Sequence, residues 1–160
     1  MVIATMTMPF APFVLQKGAR AAASTPAPVL TVLWPGSAEE RRFSRADLEA
    51  FPQASISTHT PWHAGVERFS GVPLDSFLET LGGNIRRLRL IALNDYVVET
   101  DIADVENLGA VLAIRENGTL MPLTDKGPVF LMFPFDNDPR LQHQSYYSRA
   151  VWQLCRIELL

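Results

Sequence analysis

The side chains best suited to chemistry are two histidines in the stretch THTPWHAGVERF, since imidazole binds metals and can both donate and accept hydrogen bonds. His59 and His63 lie four residues apart. On a helix that spacing would place both rings on one face, but Pro61 disfavours a helix, so the usual two-histidine zinc geometry is not expected. A metal would also need carboxylates from elsewhere, and Asp136 and Asp138 are the candidates. We therefore predict no metal site in this stretch.

The same stretch also fits a purely structural role. His59, Trp62 and His63 would then form the polar and aromatic edge of a connection between a strand and a turn. The Trp62 ring would pack against the edge of the core, as large aromatic side chains commonly do. These residues alone do not separate this interpretation from a binding role.

Other reactive groups give no independent catalytic signature. The serines lack the context of a nucleophile elbow, and no glycine-rich phosphate loop opens a helix. The single cysteine, Cys155, cannot form an internal disulfide. It lies in the apolar run VWQLCRIEL, so we predict a buried structural thiol.

Composition excludes some classes of function. The chain has 160 residues, of which 48% are hydrophobic and 19% charged, values typical of one globular domain. Its formal net charge is −3 and it carries no dense run of lysine and arginine. Nucleic-acid binding usually needs such a basic surface, so we exclude nucleic acid as a partner.

The first 28 residues differ from the rest. The stretch MVIATMTMPFAPFVL is apolar but too short to span a bilayer, and the small residues of ARAAAS follow it, as at signal cleavage sites. We predict a signal-like or disordered segment and linker over 1–28, and a single domain over 29–160. Export, for example to a periplasm, is the expected localisation; a cytoplasmic protein with an ill-ordered tail is the alternative.

Periodicity predicts an α+β domain of mixed β-sheets with short helices. Ser44 caps a helix over 45–51, with Asp47 completing a capping box. A second helix covers 73–83, where apolar residues recur at helical spacing. We expect a central strand in the continuously apolar run GPVFLMFPF and an irregular polar loop after it. Strands or hairpins are predicted at 28–34, 54–60, 66–72, 86–93, 110–123, 127–135 and 150–159.

Three stretches in this order resemble the molybdopterin-binding domain of sulfite-oxidase-type oxidoreductases. They are FSGVPLDSFLETLG, with an aromatic residue and a Gly-x-Pro-Leu turn opening a helix; GPVFLMFPFDN, with a Gly-Pro turn and an apolar strand; and the closing strand VWQLCRIEL. The resemblance covers 29–160. It implies an α+β fold around a groove for a molybdenum-bearing pterin, often in exported bacterial proteins.

The sequence departs from that family where the cofactor would be held. Catalytic members bind molybdenum through a cysteine thiolate, a soft ligand suited to this metal, located before the Gly-x-Pro-Leu turn. Here that place holds Thr58, His59 and Thr60, and Cys155 lies on another predicted strand. The family's cationic turn for the pterin phosphate is represented only by Lys126, with no arginine after it.

The resemblance therefore implies a retained groove with altered chemistry. Trp62 would be a stacking wall, the histidines would form hydrogen bonds, and the cationic residues would attract an anion. We predict a non-catalytic ligand-binding or accessory module for a small molecule, with its cofactor and any protein partner unknown. The alternative is a genuine molybdopterin-dependent oxidoreductase with an atypical metal site. The residues expected to line the groove are His59, Trp62, His63, Arg68, Asp95, Tyr96 and Lys126.

Overall fold

The computed structural model describes residues 26–160, which form two β-sheets and three short helices. Residues 1–25, which hold most of the predicted signal-like segment, lie outside the described residues. The strands are β1 Pro28–Leu33, β2 Glu40–Ser44, β3 Ala54–His59, β4 Val66–Pro73, β5 Arg87–Ala92, β6 Val97–Asp101, β7 Val111–Glu116, β8 Thr119–Leu120, β9 Phe130–Met132 and β10 Leu154–Leu159. The helices are α1 Arg45–Ala50, α2 Leu74–Leu81 and α3 Gln144–Arg149.

The strands divide into two sheets of different order. The first sheet runs β2-β1-β10-β5-β6, and within it β1 and β10 pair in parallel while the other pairs are antiparallel. The second sheet runs β3-β4-β7-β8, with β9 also paired to β7. One hydrophobic cluster contains buried residues from both sheets and from α1 and α2. The predicted α+β class with mixed sheets is confirmed.

Local sequence explains the first two helices. The Ser44 side chain accepts the Asp47 backbone N–H and the Asp47 carboxylate accepts that of Ser44, which is the predicted capping box. In α2 the buried residues are Leu74, Phe77, Leu78 and Leu81, the apolar face expected from helical spacing.

The predicted central strand is wrong in extent and position. Only Phe130–Met132 is β-structure, and within the described chain its strand partner is β7. Pro128 and Pro134, which lack an N–H, flank this short strand. Its other edge is covered by the chain entering β10, because the Leu131 N–H donates to the Val151 carbonyl at 3.0 Å.

The segment predicted as an irregular loop contains α3, and the closing strand begins at Leu154 rather than at Ala150. α3 starts after His143, whose ring nitrogen accepts the Ser145 N–H. Such a six-residue helix is too short for apolar periodicity to reveal. No helix in residues 26–160 has the length and apolar character needed to cross a membrane.

Candidate functional site

A cleft of about 300 Å³ opens beside Trp62. Three separate segments form its walls: the loop after β3, the β5–β6 turn, and α3 with the chain that follows it. Most of its lining is aromatic, apolar or amide in character. The residues that line it are Pro61, Trp62, Asn94, Tyr96, Gln144, Tyr147, Ser148, Ala150, Val151 and Trp152.

Trp62 is the centre of an aromatic cluster that forms the floor of this cleft. Its ring lies 5.8 Å from Phe130 and 6.4 Å from Phe135, measured between centroids. Tyr147 and Trp152 meet it nearly at right angles, with interplanar angles of 77° and 74°. Edge-to-face pairs of this kind are favourable beyond their buried area, so the cluster fixes the ring positions.

One face of α3 forms the second wall. Gln144, Tyr147 and Ser148 follow the spacing i, i+3, i+4 and therefore project from the same side of the helix. The Tyr96 hydroxyl donates to the Ser148 carbonyl at 2.9 Å, which joins the β5–β6 turn to α3 across the cleft.

Trp152 is followed by a residue with an unusual backbone conformation. Gln153 has a φ of 50°, which non-glycine residues seldom adopt. Its backbone N–H donates to the Lys126 carbonyl at 2.8 Å, and its side-chain amide donates to the Leu123 carbonyl at 2.7 Å and to that of Asp125 at 3.0 Å. These bonds hold the strained residue in place, and strain maintained in this way is typical of functional surfaces.

His63 holds the loop that carries Trp62, and it does not line the cleft. Its Nδ1 lies 2.6 Å from the Thr60 hydroxyl, and its ring packs on Phe69 with centroids 5.9 Å apart. Its buried Nε2 lies 2.9 Å from a carboxylate oxygen of Glu116 but is not aligned for a hydrogen bond. Together with the contacts to Thr60 and Phe69, this contact holds the loop that carries Trp62.

His59 is paired with Asp136 at the exposed end of β3. The His59 backbone N–H donates to Asp136 Oδ2 at 2.8 Å, and the ring Nδ1 lies 2.9 Å from the same oxygen. The backbone hydrogen bond, followed by the side-chain one, holds the pKa of the Asp136 carboxyl below its usual range. The pair therefore contributes stability at neutral pH, which is lost as the pH falls through the lowered pKa.

Among the seven residues predicted to line a groove, the structure brings only Trp62 and Tyr96 together in this cleft. Arg68 is exposed on β4, where its guanidinium contacts the Ser55 hydroxyl at 3.3 Å. Asp95 occupies the tip of the β5–β6 turn with a φ of 63°, and the Lys126 ammonium lies 3.1 Å from Asp125. His59 and His63 are placed as described above. A binding role for the seven residues stays a prediction.

Sequence reasoning missed Tyr147, Trp152 and Gln144 as cleft residues. Tyr147 lies in the segment predicted as an irregular loop, and Trp152 was assigned to a closing strand that begins two residues later. The available signal was the close succession of aromatic residues in YYSRAVW. An α3 assignment would have been needed to place Gln144, Tyr147 and Ser148 on one face of a helix.

Cys155 is half-buried in β10 rather than fully buried as predicted. Its thiol lies 3.4 Å from the Ile91 carbonyl oxygen. Burial raises its pKa, which disfavours the reactive thiolate. The residue belongs to the first sheet, away from the end of β3.

The residues at the end of β3 do not fit a molybdenum-binding pterin. Thr58 is fully buried and its hydroxyl accepts the Asp136 N–H at 3.1 Å, while His59 and Thr60 are engaged with Asp136 and His63. In residues 26–160 the one thiol is Cys155, on the other sheet. No soft ligand is therefore available at the position that the sequence resemblance indicates.

The phosphate of such a cofactor would also lack a cation. None of the described residues lining the cleft is charged. Arg149, on α3, is bound to Asp104 at 2.7 Å and its guanidinium lies 5.0 Å from the Tyr146 ring centroid. Residues 26–160 also contain no group of three histidine, cysteine or acidic side chains able to hold a metal, and Asp138 is bound to Arg140.

Replacing His59 by alanine should change the free energy of unfolding by less than about 1 kcal/mol, since an exposed ion pair is weak. The His59 side chain is 65% exposed, and the variant keeps the backbone N–H that Asp136 accepts. Urea unfolding at neutral pH measures this, with Asp136→Ala as the comparison. That variant loses both bonds and should be the less stable of the two; the reverse order would contradict the geometry.

Comparison with known proteins shows a similarity to solved structures. No protein-family model and no curated protein matches the chain. The crystal structure of the sulfane dehydrogenase SoxCD from Paracoccus pantotrophus is similar, with 15% sequence identity and a TM-score of 0.62. The match covers 81% of this chain but 37% of that one, so this chain spans well under half the length of the protein it matches. At this identity the likeness shows the fold alone: the chain has a distant molybdopterin-oxidoreductase-like α+β fold.

Proposed function

We propose that this protein is an exported, non-catalytic ligand-binding or accessory module built on a molybdopterin-oxidoreductase-like fold. The proposal rests on the side chains at the end of β3. Thr58, His59 and Thr60 all make hydrogen bonds to other residues of the protein. A metal ligand needs a free lone pair and, for molybdenum in this family, a thiolate. Thr58, His59 and Thr60 supply no thiolate.

The cleft supports the binding half of the proposal. Its volume lies at the lower end of the range for small-molecule sites, and its few polar groups are set among aromatic walls. Hydrogen bonds from outside the cleft hold Gln153, the residue after Trp152, and edge-to-face packing holds Trp62. A preformed cleft of this kind binds without the loss of conformational entropy that ordering its walls would require.

Export is supported by sequence alone. The apolar stretch before residue 16 and the small residues over 19–24 match two parts of a cleaved leader, the apolar core and the cleavage region, while no Lys or Arg precedes the apolar stretch. The competing function is a molybdopterin-dependent oxidoreductase with an unusual metal environment, which the following measurement separates from ours.

Protein purified from a host that synthesises the pterin cofactor should contain far less than one molybdenum atom per chain. Elemental analysis and the absorption spectrum of the full chain measure this, with protein from a host lacking the pterin pathway as background. The variant His59→Cys should stay equally free of molybdenum, since the cleft supplies no cation for the phosphate. Stoichiometric molybdenum with an absorbing pterin in the unaltered protein would refute the proposal.

A further inference from the structure

We propose that the cleft beside Trp62 selects a small, uncharged aromatic molecule of one or two rings. This inference rests on the proposed binding function and adds the chemical class of the ligand. It draws on the orientation of the aromatic walls, the charge of the lining and the hydrogen-bonding groups left free in it.

The walls form a corner suited to a flat ring. Trp62 and Trp152 have centroids 5.8 Å apart and planes inclined at 74°. A ring stacked on one of them presents its edge to the face of the other, which satisfies both preferred aromatic geometries at once. Trp152 is 36% exposed and Tyr96 is 44% exposed, so both offer surface that a ligand can cover.

The charge of the lining excludes ionic ligands. None of the described cleft residues carries a charge. The guanidinium of Arg149 is directed to Asp104, and Lys126 is paired with Asp125. A charged molecule would lose hydration on entry without gaining a partner, and burying an unpaired charge is costly.

Two amides supply the polar contacts. The Asn94 side-chain oxygen accepts the Tyr96 N–H at 3.2 Å, which leaves its NH₂ group without a hydrogen bond to any described residue. The Gln144 NH₂ group makes a long contact of 3.4 Å to the Ser148 hydroxyl. The Gln144 side-chain oxygen has no hydrogen bond to any residue in 26–160. The free donor of Asn94 and the free acceptor of Gln144 suit a ring nitrogen and a ring N–H, respectively.

The test uses four probes: indole, the anion indole-3-acetate, the cation tryptamine and the neutral sugar methyl glucoside. Binding is followed by the NMR signals of the three indole N–H groups, assigned with single Trp→Phe variants. Trp34 lies outside this cleft, in a separate pocket, and serves as an internal reference. Indole should shift the Trp62 and Trp152 signals, leave the Trp34 signal in place, and bind at least tenfold more tightly than either charged analogue.

Variants of the full chain test the assignment of the walls. Trp152→Ala should weaken indole binding at least tenfold, while the matched variant Trp34→Ala leaves it unchanged. Gln144→Glu places a carboxylate in the cleft and should tighten tryptamine binding at least fivefold relative to the unaltered protein. Equal loss of indole binding in Trp34→Ala and Trp152→Ala would overturn the site.

The outcomes separate the ligand class from the proposed function. If a charged analogue binds as tightly as indole, or the glucoside alone moves the Trp62 and Trp152 signals, the aromatic class is wrong and a binding module remains. If none of the four probes moves either signal at millimolar concentration, the aromatic ligand class is overturned. The molybdenum measurement decides the non-catalytic part independently.

Discussion

Gly71→Ala is expected to destabilise the protein by about 3 kcal/mol or more, or to prevent folding, because an added methyl group has no space there. An alanine Cβ at this position would lie 2.0 Å from the Leu112 carbonyl oxygen and 2.8 Å from the Ala113 Cα. Both atoms belong to the backbone of β7, which pairs with β4 at this point. The strands would have to separate, and urea or thermal unfolding measures the loss.

Gly65→Ala is the matched control for that prediction. A Cβ at Gly65 meets no atom within 4 Å, so this variant should stay within about 0.5 kcal/mol of the unaltered protein. Similar unfolding midpoints for the two alanine variants would show that β4 and β7 do not approach as closely as described.

The same steric argument explains a second glycine in the motifs that carry the family resemblance. A Cβ on Gly127 would lie 2.1 Å from the Met121 carbonyl oxygen. Gly71 belongs to the Gly-x-Pro-Leu turn and Gly127 to the Gly-Pro turn, and in both a close backbone approach requires glycine. These motif residues specify close backbone contacts, so they carry information about the fold and none about a cofactor.

This distinction accounts for what the sequence could predict. Strong local signals, such as the Ser44 capping box and the apolar face of α2, identified elements correctly because the residues that determine them are neighbours in sequence. β9 was misjudged because an apolar run reports burial and not the number of strand partners. Its second edge is covered by the chain around Val151, which sequence does not place nearby.

The candidate site was less predictable because it depends on three distant segments meeting. Trp62 was identified because it is an aromatic residue beside the two histidines. Tyr147 and Trp152 contact it only because the short helix α3 and the strained Gln153 position their rings. The two histidines were the most conspicuous residues, yet both are engaged in contacts outside the cleft. Residue type indicated chemistry here, and only the tertiary contacts show which groups remain free.

Trp62→Ala is expected to reduce the free energy of unfolding by about 3 kcal/mol and to abolish binding in the cleft. The indole packs on Phe130 and Phe135 below and on Tyr147 and Trp152 at the sides, so its loss leaves a void bordered by four aromatic rings. Unfolding in urea measures the stability, and the Trp152 indole signal in the presence of indole measures the binding.

Two control variants separate packing from recognition at Trp62. Trp34→Ala removes another half-buried tryptophan, whose notable partner is the Arg41 guanidinium at 5.5 Å, and should cost only about 1 kcal/mol. Trp62→Phe keeps a ring on Phe130 and should recover most of the stability, but its smaller face should still bind indole several-fold more weakly. If Trp62→Ala proved no less stable than Trp34→Ala, the aromatic cluster would not be what holds this side of the cleft in position. The cleft would then depend on the His63 contacts to Thr60 and Phe69, which hold the same loop from the other side.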